Sequence, residues 1–278
     1  MTRLIFATLF FIPVLLKAQM ENCHDLSATE AFASLASDET FGMAHDEPEE
    51  FYLQDRLGEN IIFATPDDIE GAAYFIEAEG DSRQYLLVIH EWWGLNDHIR
   101  QEADKLYRDL DNVNVMALDL YDGSVAESRE MAGKLMQAVD EERAKNIIKG
   151  ALSYAGDNAE VATIGWCFGG GWSLQATILA DEQAAGCVMY YGMPVKSMKE
   201  IREIDADVLG IFASQDEWIT PEVVNTFEKK MEQANRDINI KMYDAAHAFA
   251  NPSNPQYDEQ AAEDAYELTL DFLKSHLD

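Results

Sequence analysis

Three side chains suited to acyl transfer follow short apolar runs in the second half of the chain: Cys167, Asp216 and His247. A thiolate attacks an acyl carbon, an imidazole beside it takes and returns the proton, and a carboxylate behind the imidazole fixes its tautomer. The most specific context is residues 161–171, VATIGWCFGGG. Residues 161–164 read as a strand, Gly165-Trp166-Cys167-Phe168-Gly169 as a tight turn, and residues 172–180 as a helix. This is the setting of a nucleophile elbow, G-x-S-x-G, with Cys at its centre. Gly165 and Gly169 flank that centre where side chains would crowd a strained turn. A group on the turn sits at a helix N-terminus, which favours a thiolate and supplies free backbone N–H groups.

The elements that must position these groups alternate. A hairpin is expected over 60–64 and 71–77, strands over 85–90, 113–120, 186–192, 208–213 and 238–243, and helices over 96–110, 221–235 and 257–277. Residues 126–155 read as a long helical tract broken near Gly150. Strands alternating with helices predict an α/β fold, a mostly parallel central sheet with helices on both faces. Near-continuous apolar strands fit a sheet buried on both sides.

Ligands of open parallel sheets bind beyond the carboxyl ends of the strands, so the polar residues just after each strand matter most. His90, Glu91, Trp92 and Trp93 follow the first buried strand. Cys167 follows the elbow strand, Asp216 and its competitor Glu217 follow 208–213, and Asp244 and His247 follow 238–243. A tetrahedral oxyanion needs preorganised N–H donors. Phe168, directly after the nucleophile, is the natural first donor, and Trp92 stands where the second is expected.

Acidic residues outnumber basic ones 52 to 20, and the formal net charge is −32. That excess argues against nucleic acid or an anionic membrane surface as partner. Hydrophobic content of 47% supports a real core. Met1-Thr2-Arg3, an apolar run to Leu16 and a small Ala18 read as a secretory signal over 1–18, too short for a confident membrane span. Residues 19–57 read as a loosely structured acidic leader, and residues 58–278 as one catalytic domain. The three cysteines, Cys23, Cys167 and Cys187, match no metal or disulfide framework. Cys187 lies in a strand-like run and reads as core.

At these residues the chain resembles the dienelactone hydrolase family of α/β-hydrolases. The resemblance runs from about residue 58 to 277 and is carried by HEWWGLNDHIR at 90–100, LDLYDG at 118–123, GWCFGGG at 165–171, YYG at 190–192, SQDEWIT at 214–220 and HAF at 247–249. It implies a Cys167–Asp216–His247 triad, with Glu91 as an extra carboxylate that takes the thiol proton when substrate arrives. It also implies oxyanion donors at the N–H groups of Trp92 and Phe168, and no metal or cofactor. Family members acting on dienelactone carry an arginine soon after the catalytic histidine, and here Asn251 stands in that neighbourhood. Asn lacks the charge and the bidentate fork of arginine. Arg129 and Arg143 are further candidates by position only.

The expectation is therefore an exported monomer, periplasmic or secreted, that hydrolyses a small neutral ester or lactone. Trp93, Tyr121, Phe249 and Asn251 are the expected pocket residues. A non-catalytic small-ligand-binding protein on the same fold is the alternative, and a thiol redox protein lacks the C-x-x-C pair it would need.

Overall fold

Apolar runs become strands and the amphipathic stretches between them become helices. The computed structural model describes residues 26–48 and 50–277, so the expected signal segment over 1–18 and Cys23 lie outside the described residues. In chain order the elements are α1 Ala28–Ala33, α2 Glu39–Met43, β1 Glu59–Phe63, β2 Gly71–Ile76, β3 Gln84–Ile89, α3 Asp97–Asp109, β4 Asn114–Leu118, α4 Arg129–Gln137, α5 Glu141–Ala155, β5 Glu160–Trp166, α6 Phe168–Ala180, β6 Ala184–Tyr190, α7 Met198–Arg202, β7 Asp207–Ala213, α8 Pro221–Ala234, β8 Ile238–Tyr243 and α9 Glu259–Leu277. Among the described residues no helix is long and apolar enough to cross a membrane.

The strands form one sheet in the order β1-β2-β4-β3-β5-β6-β7-β8. The β1–β2 and β2–β4 pairs are antiparallel, and every pair from β4–β3 to β7–β8 is parallel. The chain leaves β3 for β4 on one side and returns to β5 on the other. That reversal opens a crevice at the carboxyl ends of β3 and β5, where a ligand binds most readily.

Local chemistry starts and stops the helices as expected. The Asn96 side chain accepts from Ile99 N to begin α3, and α8 has Thr220 as its cap and Pro221 in its first turn. Other boundaries differ from the sequence reading. The long tract over 126–155 breaks at 138–140, where the Asp140 side chain caps α5, and not at Gly150. Gly150 remains inside α5 because a Cβ there would lie 2.6 Å from the Ala64 carbonyl oxygen. Helix α6 begins at Phe168, directly after Cys167, and α7 is an element beyond the sequence reading.

The largest correction concerns the expected loose leader. Residues 26–48 fold into two short helices joined by a 3₁₀ turn at Ser34–Ser37, and they lie across the carboxyl edge of the sheet. Ser27 and Glu30 form a reciprocal capping box on α1, and Asp38 caps α2. Such short helices have too few turns to show a period and are marginal alone. Tertiary contacts stabilise them. Phe32 and Phe41 are fully buried, Ser27 and Thr29 donate to Glu141 Oε2, and Trp218 Nε1 donates to Asp38 Oδ2.

The elbow is the most constrained backbone of the fold. Cys167 has φ 58° and ψ −118°, a conformation that side-chain-bearing residues avoid at a cost of about 1–3 kcal/mol. The turn closes because Gly165 and Gly169 carry no side chain. A Cβ on Gly165 would lie 2.1 Å from the Gly169 carbonyl oxygen, and one on Gly169 would lie 2.3 Å from that of Ile89. Both neighbours are backbone and cannot rotate away. Gly169→Ala is therefore expected to lower the unfolding free energy by about 1–3 kcal/mol in urea titration, and an unchanged midpoint would contradict this account of the turn.

Candidate active site

Four strand ends deliver the site. Glu91 follows β3, Cys167 follows β5, Asp216 follows β7 and His247 follows β8. All four side chains are buried. His247 Nδ1 lies 2.6 Å from Asp216 Oδ2, and Asp216 Oδ1 accepts from the N–H groups of Trp218 (2.9 Å) and Ile219 (2.8 Å). Burial pushes the Asp216 carboxyl up, but His247 and these N–H donors outweigh it and hold the group below its ordinary value. The competing acid, Glu217, is exposed, and Asp244 is held at the surface by Ser214 and Gln215.

With Nδ1 bound to Asp216, His247 turns Nε2 toward Cys167. That nitrogen is buried without a hydrogen-bond partner. The Cys167 sulfur instead lies 3.9 Å from Nε2 of His45, a residue of the N-terminal arm. The thiol is pushed well above its ordinary value, first by burial and then by the charge of Glu91, while the backbone N–H groups of Phe168 and Trp92 pull it down. The expected oxyanion donors thus both point at the sulfur.

Glu91 is braced from both sides. His90 Nε2 accepts from Leu120 N, so its Nδ1–H faces the Glu91 carbonyl oxygen at 2.6 Å. Asn251 Nδ2 donates to Glu91 Oε2 at 2.6 Å. Burial raises the Glu91 carboxyl to about 7, with His247 and Asn251 opposing the rise. Asn251 therefore contacts the Glu91 carboxylate, a connection the sequence reading did not make.

A cavity of about 460 Å³ opens beside Glu91, with Trp93, Trp166, Tyr191 and Asn251 in its wall. Its lining includes Glu91 and Glu102 but, among the described residues, no lysine or arginine. Of the expected pocket residues, Trp93 and Asn251 line it. Phe249 instead packs on Tyr191 and Tyr243, and Tyr121 lies beneath the elbow against His90 and Phe168. Neither candidate arginine reaches the cavity. Arg143 ties Asp67 to Asp122, and Arg129 donates to the His45 carbonyl oxygen and pairs with Asp46.

The arm closes the other side of the site. Phe41 packs on Trp92, Trp218, His45 and His247 at ring separations of 4.5–5.7 Å. Asn254 Nδ2 donates to Ala44 O and anchors the arm's end. Sequence reasoning missed Phe41, His45 and Tyr191. Ser27-Ala28-Thr29-Glu30 carried a readable capping-box signal for a helix there. Nothing in the sequence indicated that His45 would reach residue 167.

The family model described as dienelactone hydrolase family matches residues 72–277. Protein usf of Aquifex pyrophilus is 29% identical over 205 residues, covering 69% of this chain and 88% of its own. Carboxymethylenebutenolidase 1 of Cupriavidus pinatubonensis is 26% identical over 215 residues, covering 72% and 90%. A dienelactone hydrolase-like promiscuous phosphotriesterase from metagenomic libraries superposes with a TM-score of 0.68 at 19% identity, over 80% of this chain and 100% of that one. An esterase of Pyrococcus furiosus superposes with a TM-score of 0.62 at 13% identity, over 84% and 99%. At these identities the structural likeness establishes the fold.

The Asn251 contact has a measurable consequence. Its N–H stabilises the ionised Glu91, so Asn251→Ala is expected to raise the Glu91 pKa above its value of about 7. The carboxyl stretch in infrared difference spectra, followed against pH, reads this directly. A titration unmoved or shifted downward would show that Asn251 does not support the carboxylate.

Proposed function

The chain belongs to the dienelactone hydrolase family, and we propose that it hydrolyses a small uncharged ester or lactone through a thioester on Cys167. The convergence of a nucleophilic sulfur, a histidine–aspartate pair and two backbone N–H donors on one spot carries this reading. The name of the Cupriavidus relative, carboxymethylenebutenolidase, supports lactones within the substrate class.

In this reading Cys167 is the nucleophile and Asp216 orients His247. His247 Nε2 takes the thiol proton, directly or by way of Glu91, as sulfur bonds to the acyl carbon and the carbonyl electron pair moves onto oxygen. The N–H groups of Trp92 and Phe168 stabilise that oxyanion. Collapse breaks the ester C–O bond, and the imidazolium gives its proton to the departing alkoxide. Water then attacks the thioester. His247 takes the water's proton and returns it to sulfur as the acid leaves. Keeping the resting thiol neutral suits a protein exposed to oxidants, because the thiolate is the form that oxidises.

Substrate charge follows from the cavity. Two carboxylates and, among the described residues, no lysine or arginine line it, and the whole chain carries a net charge of −32. Such a field disfavours an anionic substrate. Cys167→Ala is expected to abolish turnover of a neutral aryl ester, while wild type prefers that ester over a cyclic dienelactone carboxylate by roughly tenfold or more in kcat/KM, about 1.4 kcal/mol. Equal low rates in both proteins would instead favour a non-catalytic ligand-binding protein.

The reading includes export as a monomer, with residues 1–18 removed. Protein recovered outside the cytoplasm is expected to begin near Gln19 on N-terminal sequencing. A chain that keeps Met1 there would refute the cleavage.

A further inference from the structure

The arm brings a second imidazole to the nucleophile, and both imidazoles are prepared in the same way. His247 Nδ1 is held by Asp216 Oδ2 at 2.6 Å, and His45 Nδ1 faces the Phe41 carbonyl oxygen at 2.8 Å. Each ring therefore has its N–H at Nδ1 and leaves Nε2 as a lone pair. His45 Nε2 lies 3.9 Å from Cys167 Sγ, and His247 Nε2 is buried with no partner. One ligand atom from each of His45, Cys167 and His247 lies within 4.8 Å of the other two. Histidines that bind metals characteristically donate their other ring N–H to a carboxylate or a backbone carbonyl. Here one does each.

We propose that His45, Cys167 and His247 form a binding site for Zn²⁺ that fastens the N-terminal arm over the nucleophile and holds the enzyme inactive. Two imidazole nitrogens and a thiolate make a donor set suited to zinc, with a fourth position left for water. Bonds of about 2.0–2.1 Å to nitrogen and about 2.3 Å to sulfur require the three groups to draw in by on the order of 1 Å. His45 sits just beyond the short helix α2.

His45 Nδ1 is engaged by the Phe41 carbonyl oxygen, which leaves Nε2 as the lone pair that faces the sulfur. The thiol must ionise, giving Cys–S–Zn⁺ and releasing one proton to solvent. The cation offsets both the burial and the negative charge of Glu91 that otherwise keep that proton in place. The bound ion occupies the sulfur lone pair and His247 Nε2, the two atoms that hydrolysis uses. Removing zinc frees the arm to lift.

This inference goes beyond the hydrolytic reading, and its first test does not depend on turnover. The chelator-treated full-length chain is titrated with Co²⁺ as a spectroscopic substitute for zinc. A thiolate-to-cobalt absorption in the near ultraviolet is expected, saturating at one ion per chain and bleached by Zn²⁺. The many surface carboxylates cannot produce that band. It should vanish in Cys167→Ser and need at least about tenfold more metal in His45→Ala and in His45→Gln, which preserves more side-chain volume. With an ester substrate, Zn²⁺ should inhibit wild type at least about tenfold more tightly than either His45 variant. Metal-free kcat/KM of those variants should stay within about twofold of wild type. Absence of the cobalt band, or equal metal affinity with and without His45, overturns the proposal. Loss of ester turnover with the band intact would instead count against the hydrolase reading alone.

Discussion

The left-handed backbone at Cys167 is the constraint from which the site follows. Holding a side-chain-bearing residue at φ 58° costs energy, and the surrounding structure must supply it. It does so by close contact. Gly165 meets the backbone of Gly169, Gly169 meets the end of β3, and Gly170 meets the end of β6, all nearer than a Cβ would allow. The strand ends are thereby drawn together around the sulfur. Glu91 and Trp92 at the end of β3 and Phe168 at the start of α6 come within reach as a consequence. Relaxing the turn would separate the Cys167 sulfur from the backbone N–H groups of Trp92 and Phe168.

Charge within the site is arranged by burial and by hydrogen bonds of differing strength. Asp216 has two backbone N–H donors and His247, and stays ionised despite burial. Glu91 has one amide donor from Asn251, and burial lifts it to about 7. Two carboxylates in one site are thus held in opposite states, one ionised and the other poised near neutrality. The buried thiol, facing the poised carboxylate, remains protonated at rest.

The N-terminal arm adds a layer over the strand ends that carry Glu91, Cys167, Asp216 and His247. Phe41 fills the space between Trp92, Trp218 and His247, and His45 Nε2 lies 3.9 Å from the Cys167 sulfur. The arm is fastened by a few hydrogen bonds, among them those from Asn254, Arg129 and Trp218. A segment of two short helices held by side chains rather than by a strand ladder belongs to the less stable part of a fold. Its end, at Pro48, lines the cavity beside Glu91.

The sequence by itself determined the strands, their alternation with helices, and the positions of Cys167, Asp216, His247 and Glu91 at strand ends. Those features are local. β-Branched runs, caps and closely spaced glycines act on neighbouring residues, and a parallel sheet then places every strand end on one edge. The choice of Asp216 over Glu217 was not local, because it depends on which carboxylate faces β8. The roles of Gly150, Asn251 and the two arginines were likewise decided by partners distant in sequence. Most of all, only the tertiary structure decided that His45 meets Cys167 across 122 residues. Helices as short as α1 and α2 have no period to read, and aromatic contacts with the finished core, not their own propensity, determine where they settle.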